Sequence, residues 1–88
     1  MQAGEFYRSF DEQGRQNLIA NFSHDLGLVR NQLVRETIAA FLYNADPDYG
    51  LGVARNVNTD IQRVKDIAKT LLDEQREVAL LAETSGEL

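Results

Sequence analysis

Few residues in this chain could do chemistry. His24 is its only histidine and Asp25 follows it directly. Such a pair could serve as a metal ligand, or as a general base oriented by a carboxylate. One histidine supplies only one ligand, however, and adjacent residues on a helix do not face each other. His24 is therefore expected at a surface or an interface. Asp46 and Asp48 could share acid–base work or a divalent ion, but Pro47 stands between them. A proline at the start of a helix lets capping account for both carboxylates. Gly50-Leu51-Gly52-Val53-Ala54-Arg55 carries the first two glycines of a dinucleotide loop, with Arg55 in place of the third. That fingerprint needs strand, turn and helix together. Here no strand pattern precedes it and a helical one surrounds it, so it is set aside. Neither catalytic residues nor metal ligands are assigned.

The elements that hold these residues are organised around the run Ile38 to Gly50. Its first half closes one helix and its second half opens another. Asp46 can accept from the free amides of a new first turn. Pro47 fits the first helical position and pushes Ala45 and Asp46 out of the α region. Asp48 adds negative charge at the positive end of the new helix dipole.

Taken from the start, Met1 to Arg8 reads as a short helix or arm that packs through Phe6 and Tyr7. Ser9 with Glu12 fits a capping box, which starts a helix at about Phe10. Leu18, Ile19, Phe22, Leu26 and Val29 form its apolar face, and Gly27 marks a kink or break. From about Val29 to Asn44 a second long helix is expected. Leu33, Val34, Ile38, Phe41, Leu42 and Ala45 line one side, while Gln32, Arg35, Glu36 and Tyr43 fall on the other. The helix after the Asp46 corner runs through Val57, with Tyr49 and Val53 on one face. Asn58 and Thr59 break it, and Thr59 with Gln62 suggests a second capping box. A long amphipathic helix then reaches about Ala82. No period-two alternation of β-branched residues occurs, so the chain is all-α, a small bundle of four or five helices. The pattern divides it into residues 1–57, a long helix over 58–82 and a flexible tail over 83–88.

Eighty-eight residues fit one small domain that is marginally stable by itself. With 14 acidic residues, 9 basic residues and a net charge of -5, nucleic-acid binding is not expected. No apolar run approaches a membrane span of about 20 residues, and no basic region with an apolar stretch marks a secretion signal. A cytoplasmic chain without membrane association is the expectation.

Asp46-Pro47-Asp48-Tyr49-Gly50, followed by Val53-Ala54, resembles the C-terminal part of a haem catalase. Gln2-Ala3-Gly4-Glu5-Phe6-Tyr7-Arg8 and Leu18-Ile19-x-Asn21 resemble the same region, in the same order and at similar spacing. The resemblance covers roughly residues 2 to 57. It implies a piece of a catalase, or a free-standing relative of that piece.

In that family the axial haem tyrosine lies in an Arg-x-x-x-Tyr arrangement. The residues four before Tyr7, Tyr43 and Tyr49 are Ala3, Ala39 and Ala45, so none of the three fits. The resemblance thus implies haem in a parent enzyme and none in this chain. Some catalases also bind NADPH partly against these C-terminal helices. The residues matching that contact are Gln2, Phe6 and Phe10, where Phe10 replaces an expected aliphatic residue. The plainer reading, preferred here, packs Phe6 and Phe10 into a core.

The leading expectation is a non-catalytic structural and assembly module of a haem catalase, partnered by the catalase main domain or by its own copies. Its rivals are an autonomous interaction module forming homo-oligomers and a small enzyme using His24 with nearby carboxylates. The long last helix bears on the choice. Ile61, Val64, Ile67, Ala68, Leu71, Leu72, Val78 and Ala79 form one stripe that the rest of so short a chain can cover only in part. Self-association through Leu71 and Leu72, with Gln75 as a polar interruption, is placed ahead of folding back on the preceding helices.

Overall fold

A computed structural model describes residues 3–86, the side chains at 79 and 82–86 excepted. Among these residues there are five helices and no strand: α1 (Ala3–Arg8), α2 (Glu12–Gly27), α3 (Gln32–Ala45), α4 (Pro47–Asn56) and α5 (Ile61–Gly86). The all-α expectation holds. α5 continues past Ala82, where the pattern placed its end.

The corner at Asp46 forms as its chemistry dictates. Its backbone N–H still donates to Leu42 O at 2.8 Å and closes α3, while its Oδ1 accepts from Asp48 N at 2.9 Å and opens α4. Both expected hydroxyl caps, by contrast, turn backwards. Ser9 Oγ donates to Phe6 O at 2.6 Å, and Asp11 caps α2 by accepting from Gly14 N at 2.8 Å. Thr59 Oγ1 donates to Ala54 O at 2.9 Å, and Asp60 accepts from Gln62 N at 2.9 Å. The cause is the same in both places. Ser9 N and Thr59 N still donate to carbonyls of the preceding helix, so each hydroxyl lies over that helix's last turn. The nearby aspartate then meets the new amides. α2 consequently starts at Glu12 and not at Phe10.

α3 starts at Gln32, later than Val29, because the amides of Leu28 and Val29 close α2 on Asp25 O and Leu26 O. Asn31 Oδ1 then accepts from Val34 N at 3.2 Å. Asn58, with φ 57°, takes the left-handed conformation and ends α4.

α3 and α4 form the centre, with α2 and α1 on one side and α5 on the other. Tyr7, Leu26, Leu42, Tyr49, Val53 and Val57 make one core cluster, against which the expected α2 face of Leu18, Ile19 and Phe22 packs. Ala39, Ala40, Ala54, Val64 and Ala68 make a second, small-residue cluster between α3, α4 and α5. The approach there is close. A Cβ on Gly50 would lie 2.3 Å from the backbone of Tyr43, a position only glycine can occupy.

The apolar side expected for α3 is buried only in part: Leu42 lies in the first cluster and Ile38 packs against it, but the other large members do not. Leu33, Val34 and Phe41 are 57%, 39% and 52% exposed, whereas Glu36 is 1% exposed. Periodicity marks which residues are apolar, not where the neighbours lie. α5 settles on the side carrying Glu36, Ala39 and Ala40, where alanines admit a close helix and Arg63 Nε donates to Glu36 Oε2 at 2.8 Å.

Candidate functional site

The α3–α4 corner is also where the polar side chains of the N-terminal arm converge. Tyr7, carried on α1 and nearly fully buried, donates its hydroxyl hydrogen bond to Asp48 Oδ2. Its ring stacks on Tyr49 with centroids 4.6 Å apart and planes 8° from parallel, and Phe22 meets Tyr49 edge-on at 6.2 Å. Arg8 Nη1 pairs with Asp46 Oδ2 at 3.0 Å and also donates to Ala45 O at 3.2 Å. A Cβ on Gly4 would come within 2.2 Å of Ala45 O, so α1 lies directly on the end of α3. Arg15 sits over the Tyr7 ring at 5.6 Å and donates through Nη2 to Arg8 O at 3.0 Å.

Burial pushes the Tyr7 phenol up to about 12, reinforced by its hydrogen bond to Asp48 and by the charges of Asp48 and Asp46, with Arg15 opposing. Burial also raises Tyr49. Both rings are therefore neutral phenols in ordinary buffers. Beside them lies a cleft of about 450 Å³ lined by Tyr7, Asp48, Glu12, Gln16, Ile19, Gly52, Arg15 and Arg55. Its charges balance, and its carboxylate–phenol pair, the exposed Asp48 with the buried Tyr7, is already joined.

The expected candidates fall into place accordingly. Asp46 and Asp48 both serve the corner, one as cap and ion-pair partner, the other as acceptor for Tyr7. His24 is exposed, and among the described residues no three acidic, His or Cys side chains converge as metal ligands. Phe6 and Phe10 meet edge-to-face, 4.9 Å between centroids at 84°, but they lie 45% and 36% exposed outside both core clusters. Their expected core packing is thus corrected: Tyr7, not Phe6, is the inward aromatic of α1. Gln2 lies outside the described residues. The Tyr7–Asp48, Arg8–Asp46 and Arg63–Glu36 links could not be found from spacing, because their partners are remote in sequence.

An all-helical module, with its polar side chains joining its own segments, is the class that this fold and site define. The chain belongs to the catalase-related immune-responsive family, whose model matches residues 1–57. That match ends where α4 ends, and α5 lies beyond it. The chain is 42% identical over 67 residues to a catalase of Vibrio cholerae serotype O1, covering 76% of this chain and 13% of that protein. A catalase of Pseudomonas aeruginosa is 33% identical over 72 residues, covering 82% of this chain and 14% of its own length. A catalase of Methanosarcina barkeri is 32% identical over 77 residues, covering 85% and 15%. The chain thus spans about a seventh of the curated relatives it matches. No solved structure matches it. Among the described residues no helix is long and apolar enough to cross a membrane.

Haem and NADPH, which the family raises, fit these residues unequally. A haem-ligating tyrosine acts as phenolate, yet Tyr7 is held as a phenol and its hydrogen is committed to Asp48. Tyr49 is buried against it. These two tyrosines do not fit haem ligation. Phe6 and Phe10 fit as one apolar wall of a nucleotide site. The arginines nearest them in sequence, Arg8 and Arg15, are turned to Asp46 and to the Arg8 carbonyl, so the wall has no phosphate partner from that pair.

Proposed function

We propose that this chain is the non-catalytic C-terminal helical module of a haem catalase, a structural and assembly element. Disproportionation of hydrogen peroxide to water and oxygen would be carried out elsewhere in the parent protein. One observation carries this reading. The family-like segments at Gly4–Arg8 and Asp46–Gly50 close on each other, through Tyr7–Asp48, Arg8–Asp46 and the Gly4–Ala45 contact. Their side chains thereby build a fixed surface instead of a reaction centre. The exposed Phe6–Phe10 pair is the edge this module would offer to the main domain, and to NADPH where the parent binds it. The cytoplasm is the compartment we assign.

Exchanging the matching segment of the Vibrio cholerae catalase for residues 1–57 of this chain tests the proposal. The chimera should retain peroxide turnover and melt near the intact enzyme, while deletion of the segment should lower both. A deletion as stable and active as the intact enzyme would overturn it.

A second reading, an autonomous module forming homo-oligomers, is favoured by one observation. Val78 and Leu81 are 65% and 68% exposed on α5, beyond the residues the family model matches.

A further inference from the structure

The turn between α4 and α5 consists of Val57, Asn58, Thr59 and Asp60, and contains neither glycine nor proline. It folds α5 back by holding Asn58 at φ 57°, the one positive φ at a non-glycine residue among the described residues. A residue with a side chain takes that left-handed conformation only at a cost. Nothing in the turn forbids the alternative, one α-helix from Pro47 to Gly86, about 60 Å long at 1.5 Å per residue. Nor does straightening lose a backbone bond at Thr59. Its amide, which now donates to Ala54 O at 3.1 Å, passes to Arg55 O, the ordinary helical partner four residues back.

The surface that α5 would leave is specific to α5. That helix is held chiefly by α3 and also by α4. Val64 and Ala68 are sealed against Ala39, Ala40 and Ala54, where small side chains admit one close helix. Arg63 Nε donates to Glu36 Oε2 at 2.8 Å, and Asn44 Nδ2 donates to Ala68 O at 2.9 Å, so α5 runs in the same sense as α3. Without α5 the buried Glu36 loses its cation and the alanines lose their cover. The α5 of a second copy restores every one of these contacts.

Symmetry allows the exchange. Two straightened α4–α5 helices, related by a two-fold axis beside residue 58, set each α5 against the other copy's α4 at the angle now made within one chain. Both vacated surfaces are covered by the same operation, and the turns at Asn58 are gone. A short turn under strain favours such a swap. We propose that this chain exchanges α5 with a second copy, Asn58 acting as the hinge and each α5 covering the partner's α3 and α4. Exchange of α5 is independent of the catalase reading, and the chimera bears on that reading alone.

Glu36 and Arg63 supply a test that only exchange passes. Glu36→Arg and Arg63→Glu each set like charges against one another within a chain. Unfolded together and refolded at high micromolar concentration, the two variants should form a mixed dimer, seen by native mass spectrometry. In it the unchanged Arg63 of one copy meets the unchanged Glu36 of the other, and the two introduced charges pair in the reverse sense. Either variant refolded separately should give about tenfold less dimer. Wild type refolded in the same way should give a dimer that persists on dilution, since separation requires unsealing Val64 and Ala68. Asn58→Gly suits the left-handed turn and opposes the long helix, so it should lower the dimer association constant about tenfold; Asn58→Ala should raise it by a similar factor. A wild type that stays monomeric after concentrated refolding overturns the proposal. So does a dimer indifferent to both Asn58 variants, which would mean that copies meet through outer faces with α5 still in place.

Discussion

Tyr7 and Asp48, 41 positions apart, are joined by a hydrogen bond whose donor is the phenol and whose acceptor is the second carboxylate of the corner. Because Tyr49, next to Asp48, stacks on the same ring, one contact fixes α1 to α4 through both a polar and an apolar face.

Tyr7→Phe keeps the stack and removes the donor. It should cost about 1 kcal/mol, the usual worth of one hydrogen bond. Tyr7→Ala, which also empties a buried ring site, should cost about 3 to 5 kcal/mol. The bond also has a pH signature. With Tyr7 raised from about 10 to about 12 in the folded chain, unfolded molecules lose this proton first. Stability from Tyr7 is therefore complete below pH 10 and lost as pH rises toward 12. Thermal melts across that range should fall steeply for wild type and less steeply for Tyr7→Phe; Tyr49, also raised, supplies the remainder.

Asp46 caps α4 and pairs with the half-exposed Arg8, so Asp46→Ala should lose about 1 kcal/mol from the cap. The ion pair adds only a few tenths more, since Arg8 stays solvated. Pro47→Ala should cost about 0.5 kcal/mol through the freer unfolded chain. Equal melting of Asp46→Ala and wild type would mean that the corner is held by other contacts.

Glu36 and Arg63 give an asymmetric expectation. Arg63→Ala strands a carboxylate whose side chain is 1% exposed and should destabilise by about 3 kcal/mol. Glu36→Leu removes the charge together with its need for a partner, so it should be close to neutral or stabilising. Denaturant unfolding of both variants checks this; a Glu36→Leu variant as unstable as Arg63→Ala would show the ion pair to be a net stabiliser.

The purified chain should neither develop a Soret band with hemin nor release oxygen from peroxide above free hemin. Neither Tyr7 nor Tyr49 is held as the phenolate that ligation needs. Haem-dependent turnover abolished by changing one tyrosine would contradict this.

What the sequence made legible was mostly local. Asp46-Pro47 fixed its corner because cap and ring act within a few residues, and the α2 face emerged because one neighbour covers it. Ser9 and Thr59 were misread because a hydroxyl serves the end of one helix as readily as the start of the next. The α3 side was read correctly at Ile38 and Leu42 and missed at Leu33, Val34 and Phe41, because that helix packs on two sides and a single periodic stripe cannot encode two neighbours. At the site, the residues of the corner were visible and their partners were not. Nothing in the spacing of Tyr7, Arg8 or Arg63 says which carboxylate each will meet.

The attachment of α1 also sets the order in which the molecule comes apart. A helix of six residues cannot persist alone in water, so its amides are protected only while Tyr7 and Arg8 stay docked. α3 and α4, adjacent in the chain and packed through Gly50, close over a short loop and need no such distant partner. Opening of α1 is therefore a separate, cheaper unfolding event, and in native-state hydrogen exchange its amides should report that event well before those of α3 and α4 report global unfolding.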